Sequence, residues 1–440
     1  MKAKYDVIVI GGGFAGVTSA REISNQGLKT LVLEGKDRLG GRTWYDNRLG
    51  RNLEMGGTWV HWIQPHIWAE ITRYGLETVE TPAYEEAYWI ADNKLEKGTP
   101  EELFNIMDHG MNKFAEEVRD YFPKPSEPLL KEEKLKEIDH LSVADKLAEL
   151  NLSKREQDLV ESIWSLYFCG PLANGGLTQA FRWQAVSNND WRLCMEATID
   201  FKLKNGTKSL IDCIASDIKG DILFEKIVSK VEKNEEGYLV TTKEGDTFFT
   251  KAVVVTVATN VLNNIEFKPA LSKGKRAISD EKQTSQGVKV WAKVRNIAKP
   301  FMAMAPAEYP LNYVQYEFDQ NGNGLLVAFG SDASKIDIEN KEEVEQALRH
   351  WIPDIEVIEC TGHNWVDDEL VRQTWSMRKT NQLTKYHAEL GRPEGGIFVS
   401  GSDYGDLWGG FMDGGIESGY KVSKKIAHYL KEGKKQLVSK

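Results

Sequence analysis

Apolar and polar positions recur along this chain with two periods, and the switches between them outline its architecture. Val7 to Ile10 is an unbroken apolar, β-branched run, the pattern of a parallel strand buried on both faces. It stops at Gly11. Val17, Ala20 and Ile23 then share one helical face, and a second apolar run, Thr30 to Leu33, ends in Glu34. Gly11, Gly13 and Gly16 form G-x-G-x-x-G around Phe14 and Ala15. Strand, glycines, helix, strand and acid in this order predict a βαβ dinucleotide-binding unit. One glycine makes the tight turn, one lets backbone N–H groups reach a pyrophosphate, and one lets helix and strand pack closely. Glu34, followed by Gly35, is spaced to accept from ribose hydroxyls. The unit alone leaves open whether the nucleotide is FAD or NAD.

From about residue 76 to 200 the period becomes helical. Thr99-Pro-Glu-Glu102 is a helix start with a capping box, followed by Leu103, Met107, Met111 and Phe114 at helical spacing. Pro123, Pro125 and Pro128 interrupt it, and the charge run Lys131 to Asp139 reads as a solvated segment. Ser142 with Asp145, and Ser153 with Glu156, open further helices. Leu159, Val160, Ile163, Trp164 and Tyr167 read first as core, with a border to a substrate cavity as the alternative for the Tyr167-Phe168 end. Phe181-Arg-Trp-Gln and Trp191-Arg-Leu-Cys are further cavity candidates. After residue 200 strand patterns return. Ile222-Leu-Phe, Ile227 to Val231, Tyr238 to Thr242 and Thr247 to Thr250 read as a small antiparallel sheet. Ala252 to Ala258 reads as one more parallel strand. Gly287 to Val294 alternates so that Lys289, Trp291 and Lys293 share a face, ordinarily a solvent face.

Bulk properties narrow the function classes. The 440 residues suffice for two or three domain-sized units. A net charge of −10 argues against nucleic acid and anionic membranes as partners. No run of about 18 apolar residues occurs, so no transmembrane helix is expected. The first strand begins within five residues of Met1, which leaves no room for a signal peptide, and a cytoplasmic location is expected. The four cysteines are scattered without C-x-x-C, so neither a metal site nor dithiol chemistry is expected.

Three further motifs carry chemistry. Arg38-Leu-Gly-Gly41-Arg42-Thr follows the ribose acid, and Arg42 is suited to a phosphate. Glu54-Met-Gly56-Gly57-Thr58-Trp59 suggests backbone close to a flat ring system. Gly396 to Asp403, then Trp408-Gly-Gly-Phe411-Met412, is a short strand, an acid and a glycine-rich helix start able to hold an electron-rich carbonyl. Together with the βαβ unit these motifs resemble the flavin-containing amine oxidase family, over nearly the whole chain.

The resemblance implies an α/β fold. A discontinuous Rossmann-like, glutathione-reductase-type FAD-binding domain would take residues 1–75, 200–280 and 392–440. An α+β substrate-binding domain would take 76–199 and 281–391. FAD is implied over NAD. Asp403 would take its ribityl or phosphate side, Val228 its adenine side, and the Met412 amide the flavin pyrimidine carbonyl, with Ala258 and Trp408 near the cofactor. Ala258-Thr-Asn departs from the family's usual Thr-x-Pro. Lys289 matches the lysine that holds a water against flavin N5, and Trp375 and Phe411 match the walls of an aromatic cage. Thr374 stands where some relatives carry a flavin-linked cysteine, so non-covalent FAD is expected. The implied reaction oxidises an amine to an imine by hydride transfer to N5, with hydrolysis of the imine and reoxidation by O2 to H2O2. The alternatives are an L-amino-acid oxidase, with Arg182 or Arg192 clamping the carboxylate, an amine dehydrogenase with another electron acceptor, and a protein that uses flavin structurally. Asp406, Leu407 and His61 are candidates for reaching the site, His61 equally as a satisfied structural histidine. A homodimer is one assembly open to the chain.

Overall fold

The computed structural model describes residues 5–438, with side chains to residue 432. Two large sheets organise it. The first runs in the order Glu266–Lys268, Val228–Lys233, Tyr238–Thr242, Thr247–Val255, Tyr5–Ile10, Thr30–Leu33 and Asp221–Leu223, with Ile397–Val399 also pairing onto Thr247–Val255. The strand Tyr5–Ile10 lies between parallel neighbours on both sides, which is why its residues are apolar on both faces. The helix Phe14–Asn25 makes the crossover to Thr30–Leu33. Its Ala20 and Ile23 share a core cluster with Val422 and Ile426 of the last helix, Met412–Val438. Phe14 and Val17 share another with Ile416. Residues from both ends of the chain thus build one nucleotide-type core.

The predicted division into a small antiparallel sheet and a separate parallel strand is not what forms. Thr247–Val255 is one nine-residue strand. Its first half pairs antiparallel with Tyr238–Thr242, and its second half pairs parallel with Tyr5–Ile10. No turn residue separates Thr250 from Ala252, so the pleat continues through exposed Lys251. The strand stops at Val255, and Ala258 begins the 3-10 turn Thr259–Asn264. Asp221–Leu223 leaves the expected antiparallel group and pairs parallel with Thr30–Leu33.

The second sheet runs Glu356–Gly362, Val288–Arg295, Asn323–Gly330, Tyr313–Gln320, Phe301–Met304, Glu86–Ala91 and Lys94–Gly98. It is covered on both faces. Val288, Val290, Ala292 and Val294 join one cluster with Val344 and Trp351. The alternate face, with Trp291, Met304, Tyr313 and Phe329, packs against the helices Pro100–Ala115, Lys154–Phe168 and Leu177–Val186. Capping boxes at Thr99, Ser142 and Ser153 start three of the helices in this block, as predicted. The charge run Lys131 to Asp139 is not simply solvated. Glu132–Leu135 is a helical turn that buries Leu135, and buried Asp139 accepts from the hydroxyls of Thr178 and Thr384.

Candidate functional site

A continuous cavity of about 720 Å³ joins the two sheets. That lies within the usual range of ligand sites, about 300–1,000 Å³. One end is the βαβ turn. Gly11 has φ +104°, a conformation only glycine adopts cheaply, and a Cβ on Gly16 would lie 2.0 Å from the Gly11 carbonyl oxygen. Gly16 therefore fixes the helix against the turn and does not itself line the cavity. Gly11, Gly13, Phe14 and Ala15 do. The nearest protein atom to a Cβ on Gly13 would be 3.8 Å away, so this side of the turn is open to a ligand. Glu34 accepts from the amides of Gly12 (2.5 Å) and Lys36 (2.8 Å). Burial raises its carboxyl pKa, opposed by those two N–H groups. A carboxylate keeps acceptor capacity beyond two bonds. Gly35, Val228 and Ala258 line the same end.

The middle of the cavity is closed by segments distant in sequence. Gly41, Arg42, Gly56, Gly57 and Thr58 line it. A Cβ on Gly56 would meet the Arg42 carbonyl oxygen at 2.0 Å, so the two glycine loops touch through backbone. Arg42 donates to Asp403 Oδ1 (2.6 Å), Ser402 Oγ (2.8 Å) and the Thr374 carbonyl (3.2 Å). Asp403 does not face the cavity. Its Oδ2 accepts from the Thr259 amide (2.9 Å), the Thr259 hydroxyl (2.8 Å) and Gln373 Nε2 (3.2 Å). Burial alone would raise its pKa, but Arg42 and Thr259 outweigh that and hold it below the usual carboxylate range. The carboxylate assigned from the sequence to the ribityl or phosphate side is instead a buried hub. It turns inward because five donors converge there, Ser402 Oγ (3.3 Å to Oδ1) being the fifth.

Trp408 also turns away, donating from Nε1 to the Ile63 carbonyl (2.9 Å). Met412 is the first residue of the last helix and lines the cavity, so its N–H has no intrahelical partner. That helix start is pinned by Asp413, which caps the helix Pro65–Arg73 through the amides of His66 (2.6 Å) and Ile67 (2.9 Å).

The far end is aromatic. Trp59, Tyr167, Trp183, Phe329, Trp375 and Phe411 line it. Phe411 packs on Trp183 with ring centroids 4.6 Å apart, and Trp375 on Phe329 at 6.2 Å. The Trp375 indole donates to the Tyr167 carbonyl (2.7 Å) and that of Trp183 to the Gly409 carbonyl (3.3 Å), so both indole N–H groups are spent on backbone. Lys289 enters this end from the second sheet, on its helix-facing side, not the solvent. Its Nζ donates to Thr58 Oγ1 (2.6 Å) and the Gly56 carbonyl (2.9 Å) and lies 5.1 Å from the Trp59 ring centre. Burial lowers its pKa, with Glu54 and Glu317 opposing and Lys202 adding to the effect.

Several candidates lie elsewhere. Arg182 donates to the carbonyls of Gly405 and Asp406, and Arg192 is held by Asp108 and Glu101. Neither lines the cavity. Asp406 is bound to His387 and Lys421, and Leu407 is also absent from the walls. His61 is buried, accepts from the Ile63 amide at Nδ1 (3.2 Å) and pairs with Glu196 through Nε2 (2.9 Å), a satisfied structural histidine. Phe329, Thr198 and Ile199 were missed, because a strand phenylalanine and a helix end carry no motif. Among the described residues there is no cluster able to hold a metal ion and no helix long and apolar enough to cross a membrane.

Comparisons with known proteins agree with this geometry. Residues 14–427 match the family model for flavin containing amine oxidoreductase. The chain is 36% identical to pseudooxynicotine dehydrogenase from a Pseudomonas species, over 97% of this chain and 87% of that protein. It is 28% identical to (S)-6-hydroxynicotine oxidase of Paenarthrobacter nicotinovorans, over 96% of this chain and all of that protein. The fold matches putrescine oxidase bound to putrescine with a TM-score of 0.83 at 21% identity, over 96% of this chain and 99% of the other. A cavity with a βαβ turn at one end and a lysine among aromatic walls at the other fits that assignment, and the chain belongs to the flavin-containing amine oxidoreductase family.

Proposed function

We propose that this protein binds FAD without a covalent link and oxidises the carbon–nitrogen bond of a small amine to an imine, which water then hydrolyses. The observation that carries the reading is Lys289, held by the Gly56 carbonyl and Thr58 inside an aromatic cavity that runs to a dinucleotide-type turn. When bound, the flavin supplies the two-electron acceptor for a hydride from the carbon beside nitrogen.

The chain's residues do the rest. The Gly11–Ala15 turn and the first amides of the helix Phe14–Asn25 take the pyrophosphate, and Glu34 takes the ribose hydroxyls. Arg42 adds positive charge on the phosphate side, and the Met412 amide holds a flavin carbonyl. The separation of the two large sheets supports a division into an FAD-binding part (1–75, 200–280, 392–440) and a substrate-binding part (76–199, 281–391). An amine with a protonated nitrogen has no electron pair to release. The aromatic walls favour the neutral amine by excluding water, and attract the cation on approach. In its protonated form Lys289 has three N–H donors and spends two on protein, leaving one for a water at the reacting face. None of the four cysteines lines the cavity among the described residues, which supports a non-covalent cofactor. A flavin adduct in the mass spectrum of the denatured chain would refute that part.

The test of the whole reading is anaerobic mixing of the holoenzyme with a panel of amines and amino acids. Bleaching by amines is expected; a flavin that no amine bleaches overturns it. Arg182 and Arg192 are both engaged away from the cavity, so amino-acid substrates are not expected to bleach it. O2 is the proposed acceptor, with H2O2 released. The 36% identical relative is named a dehydrogenase, which favours a second reading of the acceptor alone. Bleaching that persists under air, without peroxide, would select it.

A further inference from the structure

Behind Lys289 lies a buried carboxylate that the reading above does not use. Glu54 is 6% exposed. Its two oxygens accept from the Thr207 amide (2.5 Å) and hydroxyl (2.9 Å), and among the described residues no cation is hydrogen-bonded to it. Lys289 in turn touches only neutral acceptors. Two parallel contacts hold the loop that carries the acid against the strand that carries the lysine. Lys289 Nζ donates to the Gly56 carbonyl, and Trp291 Nε1, two residues along the same strand face, donates to the Glu54 carbonyl (2.9 Å). Residues 54 and 56 of the loop are thus matched to residues 291 and 289 of the strand.

The other charges facing Lys289 are Glu317 and Lys202. Those two are buried and bonded to each other, so their fields largely cancel at Lys289. Glu54 is left as the uncancelled counter-charge. Its remaining titratable neighbour is the Tyr45 phenol, which stays neutral near pH 7. We propose that Glu54 is a positioning residue that acts through Lys289, setting how readily that lysine holds a proton beside the reacting amine. Burial pushes the acid up and the lysine down, so the two exchange protons in the same pH window near neutrality. Thr207 anchors the acid in its charged form by donating twice to it. The role in catalysis rests on the amine-oxidation reading, whereas the proton coupling does not.

The experiment titrates Lys289 directly in the holoenzyme. Lysine labelled with 13C at Cε is followed by NMR from pH 5 to 10, and the Lys289 signal is assigned by its loss in Lys289→Met. Removing the negative charge disfavours the ammonium, so Glu54→Gln is expected to move the Lys289 midpoint to lower pH by about one unit. Thr207→Val, which removes one donor and keeps the fold's amide contact, is expected to move it the same way by less. The pH profile of anaerobic flavin reduction should shift by the same amount in each variant. It should not respond to Glu54→Gln in a Lys289→Met background. An unmoved Lys289 midpoint in both variants overturns the proposal whether or not amines reduce the flavin. A reduction profile that shifts equally in the Lys289→Met background overturns the claim that Glu54 acts through the lysine.

Discussion

Replacing Asp403 by Asn removes one charge and turns one acceptor into a donor, at a site where every partner donates. Arg42 Nη2 reaches Oδ1 at 2.6 Å, and the Thr259 amide, the Thr259 hydroxyl and Gln373 reach Oδ2. An asparagine must point its NH2 at one of these two sets. Toward Arg42 it loses a charge-assisted bond, worth about 1.5–3 kcal/mol, and opposes a guanidinium. Toward Thr259 it strands a buried amide, at about 1–3 kcal/mol. The Arg42 side chain is 22% exposed, so water offsets part of the loss. Asp403→Asn should therefore destabilise the holoprotein by about 3 kcal/mol, read as a lower urea midpoint at unchanged slope. The gap should also depend on pH. The Asp403 carboxyl is held below its ordinary value in the folded protein, so its contribution is complete above the unfolded pKa, about 4, and falls away as pH drops through the folded value. Wild type and variant should begin to converge in stability only as pH falls below about 4, and meet below the folded value of Asp403. A difference under about 0.5 kcal/mol at pH 7 would refute the hub.

Three other outcomes are expected. Lys289→Met should retain flavin but slow its reoxidation by O2, and unchanged stopped-flow reoxidation would remove the lysine's role. Gly16→Ala sets a Cβ 2.0 Å from the Gly11 carbonyl, so the variant should keep its far-UV circular dichroism and lose its flavin on purification. A full flavin complement would show that the turn adapts. Glu70→Ala leaves Arg21, with a fully buried side chain, without its two-pronged partner, and should cost about 3–5 kcal/mol by chemical denaturation.

The features legible in the sequence are those written in local chemistry. The βαβ unit, the three capping boxes and the glycine-rich last helix each need residues only a few positions apart. Lys289, Trp375 and Phe411 were reached through resemblance, since alternation alone puts Lys289 on a solvent face. The inward turn of Asp403 is not legible locally because four of its five donors come from residues 42, 259 and 373, whose convergence no local pattern encodes; only Ser402 is a neighbour in sequence. Arg182 has the same history. It looked available for a carboxylate, yet the loop before Phe411 folds back and offers it two carbonyls. The strand Thr247–Val255 reads as two because its halves carry different patterns, one part-exposed and antiparallel, the other buried and parallel. Only the neighbours distinguish one strand from two.

The placement of Tyr5–Ile10 at the centre of the first sheet has a consequence for how the protein is made. Its parallel neighbour Thr247–Val255 follows it by about 240 residues, and Ile397–Val399 by about 390. At about 5–20 residues per second, the ribosome takes roughly 20 to 80 s to deliver that last strand. Until then the apolar faces of Phe14, Val17, Ala20 and Ile23 wait for Ile416, Val422 and Ile426. Of the strands in this sheet, the one made earliest is among the last to be completed. A nascent chain stalled before residue 397 should be held by chaperones or degraded, while its helical middle, residues 99–199, already has its local capping in place.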